Sequence, residues 1–354
     1  MPVDETTAKR KDAHLDLCAT EEVAPIENAT LFGQMFLVHC AMPELAFSEL
    51  DLSTPLFGKR LKAPLLVTGM TGGTERAMQV NRDVAQVAEE FGVAFGVGSQ
   101  RAMAERPELA GTFGVRDVAP NTVLIGNIGL VQAVRLGVDG VMRLKEGIGA
   151  DAMAVHLNPG QELTQPEGDR DFRGGYAIVG ELVKRLGAER VLVKETGCGI
   201  APEVARRLVD VGVRAIDVSG LGGTSWVRVE QLRAEGVARE VGAQFSGWGI
   251  PTAAAVASVR RAVGPGVTLI AAGGMRTGLD VAKAIALGAD VGGMALPLFR
   301  AQQEGGVPKV REAMATVLTA LKQALALTGC RTPQELRHRP RVISGELKDW
   351  LAAL

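Results

Sequence analysis

Pro64-Leu65-Leu66-Val67-Thr68-Gly69-Met70-Thr71-Gly72-Gly73-Thr74 is the stretch whose reading decides the fold. A short apolar run ends in a glycine-rich turn. A helical pattern follows, with Val84, Ala88 and Phe91 at helical spacing and Gly92 as its terminator. Such a strand–turn–helix unit opens either a doubly wound open sheet or a (β/α)8 barrel. The open sheet normally carries a G-x-G-x-x-G dinucleotide fingerprint in its first turn, and Gly69 to Thr74 does not match it. The barrel is the stronger reading.

The same rhythm continues along the chain. Val93–Val97 runs into Gly98-Ser99-Gln100-Arg101, Thr122–Ile125 into Gly126-Asn127-Ile128-Gly129, and Asp151–Val155 into His156-Leu157-Asn158-Pro159-Gly160-Gln161-Glu162. Arg190–Val193 ends in Lys194-Glu195, and its helix has Pro202 in the first turn and Gly212 as terminator. Arg214–Val218 ends in Ser219-Gly220 and Gly222-Gly223-Thr224, Thr268–Ala271 in Gly273-Gly274-Met275-Arg276, and Asp290–Met294 in Ala295-Leu296. With the opening run these make eight strands, mostly followed by amphipathic helices, which is the α/β TIM-barrel pattern. A longer helix is expected over roughly 310–327, then a Pro- and Arg-containing tail. Residues 1–60 are polar and irregular and read as an N-terminal extension to a barrel spanning 61–354. Within them, 32–39 looks like a packing segment and 45–52 a short helix.

Bulk properties narrow the function. The chain has 354 residues, 47% hydrophobic and 22% charged, with a formal net charge of −1. No long Lys/Arg block appears and only 4% of residues are aromatic, so neither a nucleic-acid nor a membrane-surface partner is expected. No apolar run reaches the ~20 residues of a membrane span. Cys18, Cys40, Cys198 and Cys330 are far apart, without metal-site spacing, which points to a reducing compartment. The cytoplasm is the expected location, since Met-Pro-Val-Asp-Glu lacks a signal pattern.

Active sites of barrels lie at the strand ends. Thr71, Ser99, Arg101, Asn127, His156, Gln161, Glu162, Lys194, Ser219, Thr224 and Arg276 fall there. Hydroxyls, amides and glycine pairs dominate, a set suited to a flat hydrogen-bonding cofactor with a phosphate tail rather than a metal cage. Gly273-Gly274 and Ala295-Leu296 flank the usual barrel phosphate site. Thr277-Gly278-Leu279-Asp280 reads as a capping box whose helix N-terminus would favour an anion. Lys194 must find an anion or polarisable oxygens. It suits either a flavin ring edge or a Schiff base. Glu162, beside Asn158 and Gln161, is a single carboxylate of the kind that holds Mg2+ together with substrate phosphates. Arg10-Lys11 near His14 reads either as a phosphate clamp or as a solvated helix face.

Together these motifs resemble the type 2 isopentenyl diphosphate isomerases, FMN-dependent (β/α)8 barrels. The resemblance covers nearly the whole chain. It rests on Arg10-Lys11 with His14, Met70 to Gly73, Gly98 to Arg101, His156 to Asn158 with Gln161-Glu162, Lys194-Glu195, Gly222 to Thr224, Gly273 to Arg276 through Asp280, and Ala295-Leu296. Met275 departs from the expected branched aliphatic residue. The resemblance implies flavin contacts at Gly69, Met70, Thr71, Ser99, Asn127, Lys194, Ser219, Thr224, Gly273, Gly274, Met275, Ala295 and Leu296. It implies a substrate diphosphate at Arg10, Lys11, Ser99, Gln100 and Arg101, with Gln161 beside the allylic part, His14, His156 and Asn158 as further substrate-binding residues, and Glu162 on Mg2+. Arg10-Lys11 then becomes part of a lid that closes over the diphosphate. The implied reaction is reversible interconversion of isopentenyl and dimethylallyl diphosphate, with reduced FMN as acid/base and NAD(P)H reaching the reduced state. His156, Gln161 and Lys194 are the candidate catalytic side chains. A true FMN oxidoreductase on the same barrel and a flavin-free Schiff-base barrel are the alternatives. A homotetramer or homo-octamer is expected, with Ala253–Ala255 and 313–326 as helical surface compatible with subunit packing.

Overall fold

The computed structural model describes residues 4–20, 22–24 and 29–354. All eight runs become strands of one closed parallel barrel: β1 (Leu65–Val67), β2 (Ala94–Gly96), β3 (Leu124–Gly129), β4 (Ala152–Leu157), β5 (Val191–Glu195), β6 (Ala215–Asp217), β7 (Thr268–Ala271) and β8 (Val291–Met294). Each pairs with the next in sequence. The ring closes where Gly292, Gly293 and Met294 stand opposite Leu65, Leu66 and Val67. An open sheet has two free edges, and this one has none.

Two strands outrun their apolar cores. β3 continues through Gly126-Asn127-Ile128-Gly129 because these residues keep pairing with Met153 to His156. β4 runs on to Leu157 against Glu195. Asn127 and His156 are therefore strand residues whose facing is fixed by the pleat. The expected polar loop after Val155 is instead the end of β4 and a short helix, Pro159–Thr164, with proline in its first turn.

The core has two layers. Outward strand residues such as Val155, Val193 and Ile216 pack under the helices, whereas Leu66, Ala94, Ile125, Ala154, Leu192, Ala215, Ile270 and Val291 fill the barrel interior. Leu56 and Leu61 join that interior cluster from an antiparallel hairpin, Thr54–Leu56 with Lys59–Leu61. Lys59 Nζ reaches the Asn121 and Thr122 carbonyls and Asp151 at the strand starts, so the hairpin plugs the barrel floor.

This corrects the reading of the first 60 residues as irregular chain. Asp4–Thr20 is a helix, and Met35–Leu37 forms a ribbon with Arg341–Ile343. The helix expected over 45–52 is one 3-10 turn, Phe47–Glu49. The long C-terminal helix, Leu296–Leu327, is broken at Gly305 and Gly306, where Gly306 has φ +61°. The second correction concerns Ala253, Ala254 and Ala255. Each is 0% exposed within the chain and cannot form a subunit surface. Among the described residues, no helix is long and apolar enough to cross a membrane.

Candidate active site

Inward-facing strand residues alternate, so two residues beyond Ile125, Ala154, Leu192 and Ala215 come Asn127, His156, Lys194 and Asp217 on the same face. Register places His156 opposite Lys194, and Lys194 opposite Asp217. A polar layer thus crowns the apolar filling. Asn127, His156 and Lys194 open on a cavity of about 510 Å³ at the strand C-termini, while Asp217 is wholly buried.

That cavity gathers nearly every residue singled out from the sequence. Arg10, Lys11 and His14 reach it from the N-terminal helix; Gly69, Met70, Thr71, Ser99 and Arg101 follow β1 and β2. Asn158, Gln161 and Glu162 follow β4, Ser219 and Thr224 follow β6, Gly273, Gly274, Met275 and Arg276 follow β7, and Ala295 and Leu296 follow β8. Gln100 is the exception. It is 0% exposed, donates to the Leu144 carbonyl at 2.9 Å, and accepts from the Asn127 amide N–H at 2.9 Å. Both ends of its side chain are committed inside the protein, so it braces Asn127 rather than touching substrate.

The His156 ring has a defined tautomer. Asn127 donates its Nδ2 to the Val97 carbonyl (3.2 Å), which turns its Oδ1 toward His156 Nδ1 at 2.9 Å. Nδ1 therefore carries the proton and Nε2 is the ring's acceptor. Burial, then the charges of Lys194 and Lys11, push the imidazole down to about 3, so it is neutral at physiological pH. Lys194 donates to the Glu195 carbonyl at 2.5 Å. The Glu195 carboxylate is turned away into three successive N–H groups, those of Thr196, Gly197 and Cys198; burial pushes it up to about 7 against those donors.

Two groups of residues able to receive an anion line the cavity. At β7 and β8, Gly273 (φ +100°) and Gly274 (φ +79°) bring backbone against backbone: a Cβ on Gly274 would lie 2.5 Å from the Gly222 oxygen. The helix beginning at Leu296 has no side-chain cap at Ala295, but Pro297 has no N–H and the Leu298 and Phe299 N–H groups donate to the Ala295 carbonyl, so little of that terminus is open at the cavity wall. The helix expected to favour an anion does not do so either. Asp280 accepts from the Arg276 N–H (3.1 Å), the Thr277 N–H (2.9 Å) and the Thr277 hydroxyl (2.9 Å), so that terminus is filled by its own carboxylate. Glycine backbone, Ser219, Thr224, Asn127 and Lys194 make a donor set of the kind that fits FMN.

The second group, on the N-terminal helix, is cationic. Lys11 donates to the Gly72 and Ser99 carbonyls (3.0 Å for the latter) and lies over the Phe113 ring at 5.2 Å. Burial and the Arg10 charge push its ammonium down to about 7. Arg10 stands 3.8 Å from Glu167, and Arg101 is paired with Glu105. Glu162 accepts from Asn158 Nδ2 (3.0 Å) on one oxygen and the Asp169 N–H (2.8 Å) on the other. Among the described residues there is no cluster of three or more His, Cys, Asp or Glu able to hold a metal ion. Glu162 fits only a cation completed by waters and substrate oxygens, which is the Mg2+ manner.

Sequence reasoning missed Glu230. It is 0% exposed and accepts from His14 Nε2 and Gln161 Nε2, each at 3.0 Å, and from Arg233. Burial raises its carboxyl, but these partners hold it below the usual range, so it is ionised. No motif marks it: it lies within the helix Trp226–Arg233, far from any strand end in sequence.

A family model described as FMN-dependent dehydrogenase matches residues 181–343, from the helix before β5 to past β8. A protein of Metallosphaera sedula named isopentenyl-diphosphate delta-isomerase is 45% identical over 97% of this chain and 94% of its own. One of Pyrococcus abyssi with the same name is 42% identical, over 99% and 96%. Among solved structures, a mandelate oxidase with (S)-mandelic acid superimposes with TM-score 0.68 at 19% identity over 96% of this chain and 98% of that one. A second, with benzaldehyde, gives 0.67 at 19% over the same shares. At that identity the likeness is one of fold.

Proposed function

This chain belongs to the isopentenyl-diphosphate delta-isomerase family, and on that premise we propose that it interconverts isopentenyl and dimethylallyl diphosphate with FMN as resident cofactor, Mg2+ on the substrate phosphates and NAD(P)H as reductant. The observation that carries the reading is one cavity with two anion-receptive ends. A backbone cradle at Gly273-Gly274 and Ala295 suits a permanently held phosphate, and the cationic arm of Arg10 and Lys11 suits a diphosphate that comes and goes.

Moving the double bond requires a proton at one alkene carbon and loss of one from another, with no net redox change. Bound in the reduced state, FMN supplies an electron-rich surface and ring nitrogens able to exchange protons. Lys194, at the cavity wall, would offer that ring a cation. His156, neutral and with Nδ1–H committed to Asn127, offers Nε2 only as an acceptor and positions rather than protonates. Gln161, to which we assign the allylic carbons, is held between Asn158 and Glu230, which fixes its amide at the cavity wall and puts an ionised carboxylate one group behind it. Arg10, Lys11 and the Asp4–Thr20 helix close the mouth, excluding water that would capture a cationic species.

The test is direct. Purified protein should carry a flavin spectrum that bleaches with anaerobic NADPH, and the reduced, Mg2+-loaded enzyme should convert isopentenyl to dimethylallyl diphosphate. No dimethylallyl product under those conditions sinks the assignment, and stoichiometric NADPH consumption would turn it toward an oxidoreductase. Light scattering of the purified protein tests the proposed homotetramer or homo-octamer, and a monomer would overturn it.

A further inference from the structure

Lys194 is a buried ammonium whose hydrogen bond goes to a neutral carbonyl, that of Glu195. An uncompensated buried charge is costly, so a carboxylate should stand near it. The Glu195 side chain is committed to three backbone N–H groups. Asp217 is the other neighbour. It is 0% exposed, faces the barrel interior, and stands opposite Lys194 in the β5–β6 register.

Its bonding is lopsided. Oδ1 accepts from the Ser219 N–H (3.0 Å) and the Ala272 N–H (3.2 Å), whereas Oδ2 is buried without any hydrogen-bond partner. Ser219, one of the cavity residues, sits at φ +36°, a conformation a non-glycine residue rarely adopts, and the bond from its N–H to Asp217 helps hold it there. One carboxylate thus anchors the ends of β6 and β7 through one oxygen and leaves the other unpartnered in the strand position facing Lys194.

We propose that Asp217 is a positioning residue and the ionised counter-ion of Lys194, setting how much positive field the cofactor ring receives. Burial raises its carboxyl against the Lys194 charge and both N–H groups, but a proton on Oδ2 would find no acceptor there, whereas a charge on it has a cation in the facing strand position. This rests on the FMN reading above, and the test separates the two.

Asp217→Asn keeps an acceptor for both N–H groups and removes the charge. With Lys194 no longer offset, the anionic reduced ring should gain at least tenfold in affinity relative to the oxidised ring. For the two-electron couple that raises the midpoint potential by about 30 mV. A bound flavin with an unchanged midpoint overturns the proposal, since a merely structural brace would alter retention but not potential. If wild-type protein holds no FMN, or the variant does not fold, flavin-free protein still decides. In Lys194→Met, Asp217 loses its counter-ion and should take up a proton, seen as a new protonated-carboxyl band in infrared difference spectra against wild type. Absence of that band refutes the pair.

Discussion

Replacing His156 by glutamine tests whether the imidazole is held neutral. Folded, the ring titrates at about 3 against an ordinary 6.5, because it is buried beside Lys194 and Lys11. Between those values the unfolded chain binds a proton that the folded chain refuses, so stability is full above pH 6.5 and is lost as pH falls. At pH 5 the unfolded ring lies 1.5 units below its ordinary value, and at 1.36 kcal/mol per unit the folded state loses about 2 kcal/mol relative to pH 7. His156→Gln removes the titration, and its Nε2 can still donate to Asn127 Oδ1. Urea unfolding of both proteins at pH 7 and pH 5 gives four free energies. The wild-type loss should exceed the variant's by about 2 kcal/mol. His14, which is also lowered, and the carboxylates cancel because both proteins share them. Equal losses would mean that His156 is charged in the folded protein, and the acceptor role of Nε2 would fall with it.

Glu230→Gln takes away a carboxylate that receives His14, Gln161 and Arg233, each charge-assisted bond being worth about 1.5–3 kcal/mol; turnover should fall at least tenfold in steady-state assays, and an unchanged kcat would place Glu230 outside the reaction. Glu162→Gln should weaken Mg2+-dependent substrate use while the flavin spectrum survives gel filtration. Loss of flavin in that variant would move Glu162 into the cofactor site. Gly274→Ala forces a side chain into φ +79° and against the Gly222 oxygen, a strain of roughly 1–3 kcal/mol. It should lower FMN retention on dialysis, and full retention would show that the phosphate sits elsewhere.

The barrel was legible because its signals are local. Each strand is a short apolar run ended by glycine or a polar turn, and eight of them in a row leave little choice of topology. Most of the cavity followed, because barrel sites form at strand ends and strand ends are marked in sequence. Three things were not legible, each for a physical reason. Asn127 and His156 looked like loop residues because polarity marks a strand end, whereas pairing with the neighbour decides where a strand stops. Gln100 shares a polar turn with Ser99 and Arg101, and only three-dimensional packing shows that it points to Leu144. Glu230 reaches the site from within a helix, so neither strand-end position nor motif gives it away.

The two ends of the cavity differ in a way that matches what each must hold. At the β7–β8 end the donors are backbone N–H groups on strand termini, locked by glycine geometry and by the bond from Thr252 to the Gly273 carbonyl at 2.6 Å. Such donors lose no side-chain entropy on binding and suit a ligand that stays. At the other end the donors are long cationic side chains on a separate helix, already satisfied by the Gly72 and Ser99 carbonyls and by Glu167. A diphosphate must displace these partners, which moderates its affinity, and on leaving it returns Lys11 and Arg10 to partners already in place. On the proposed reading, resident cofactor and exchanging substrate are separated by the kind of donor, one set belonging to the barrel and the other to the arm.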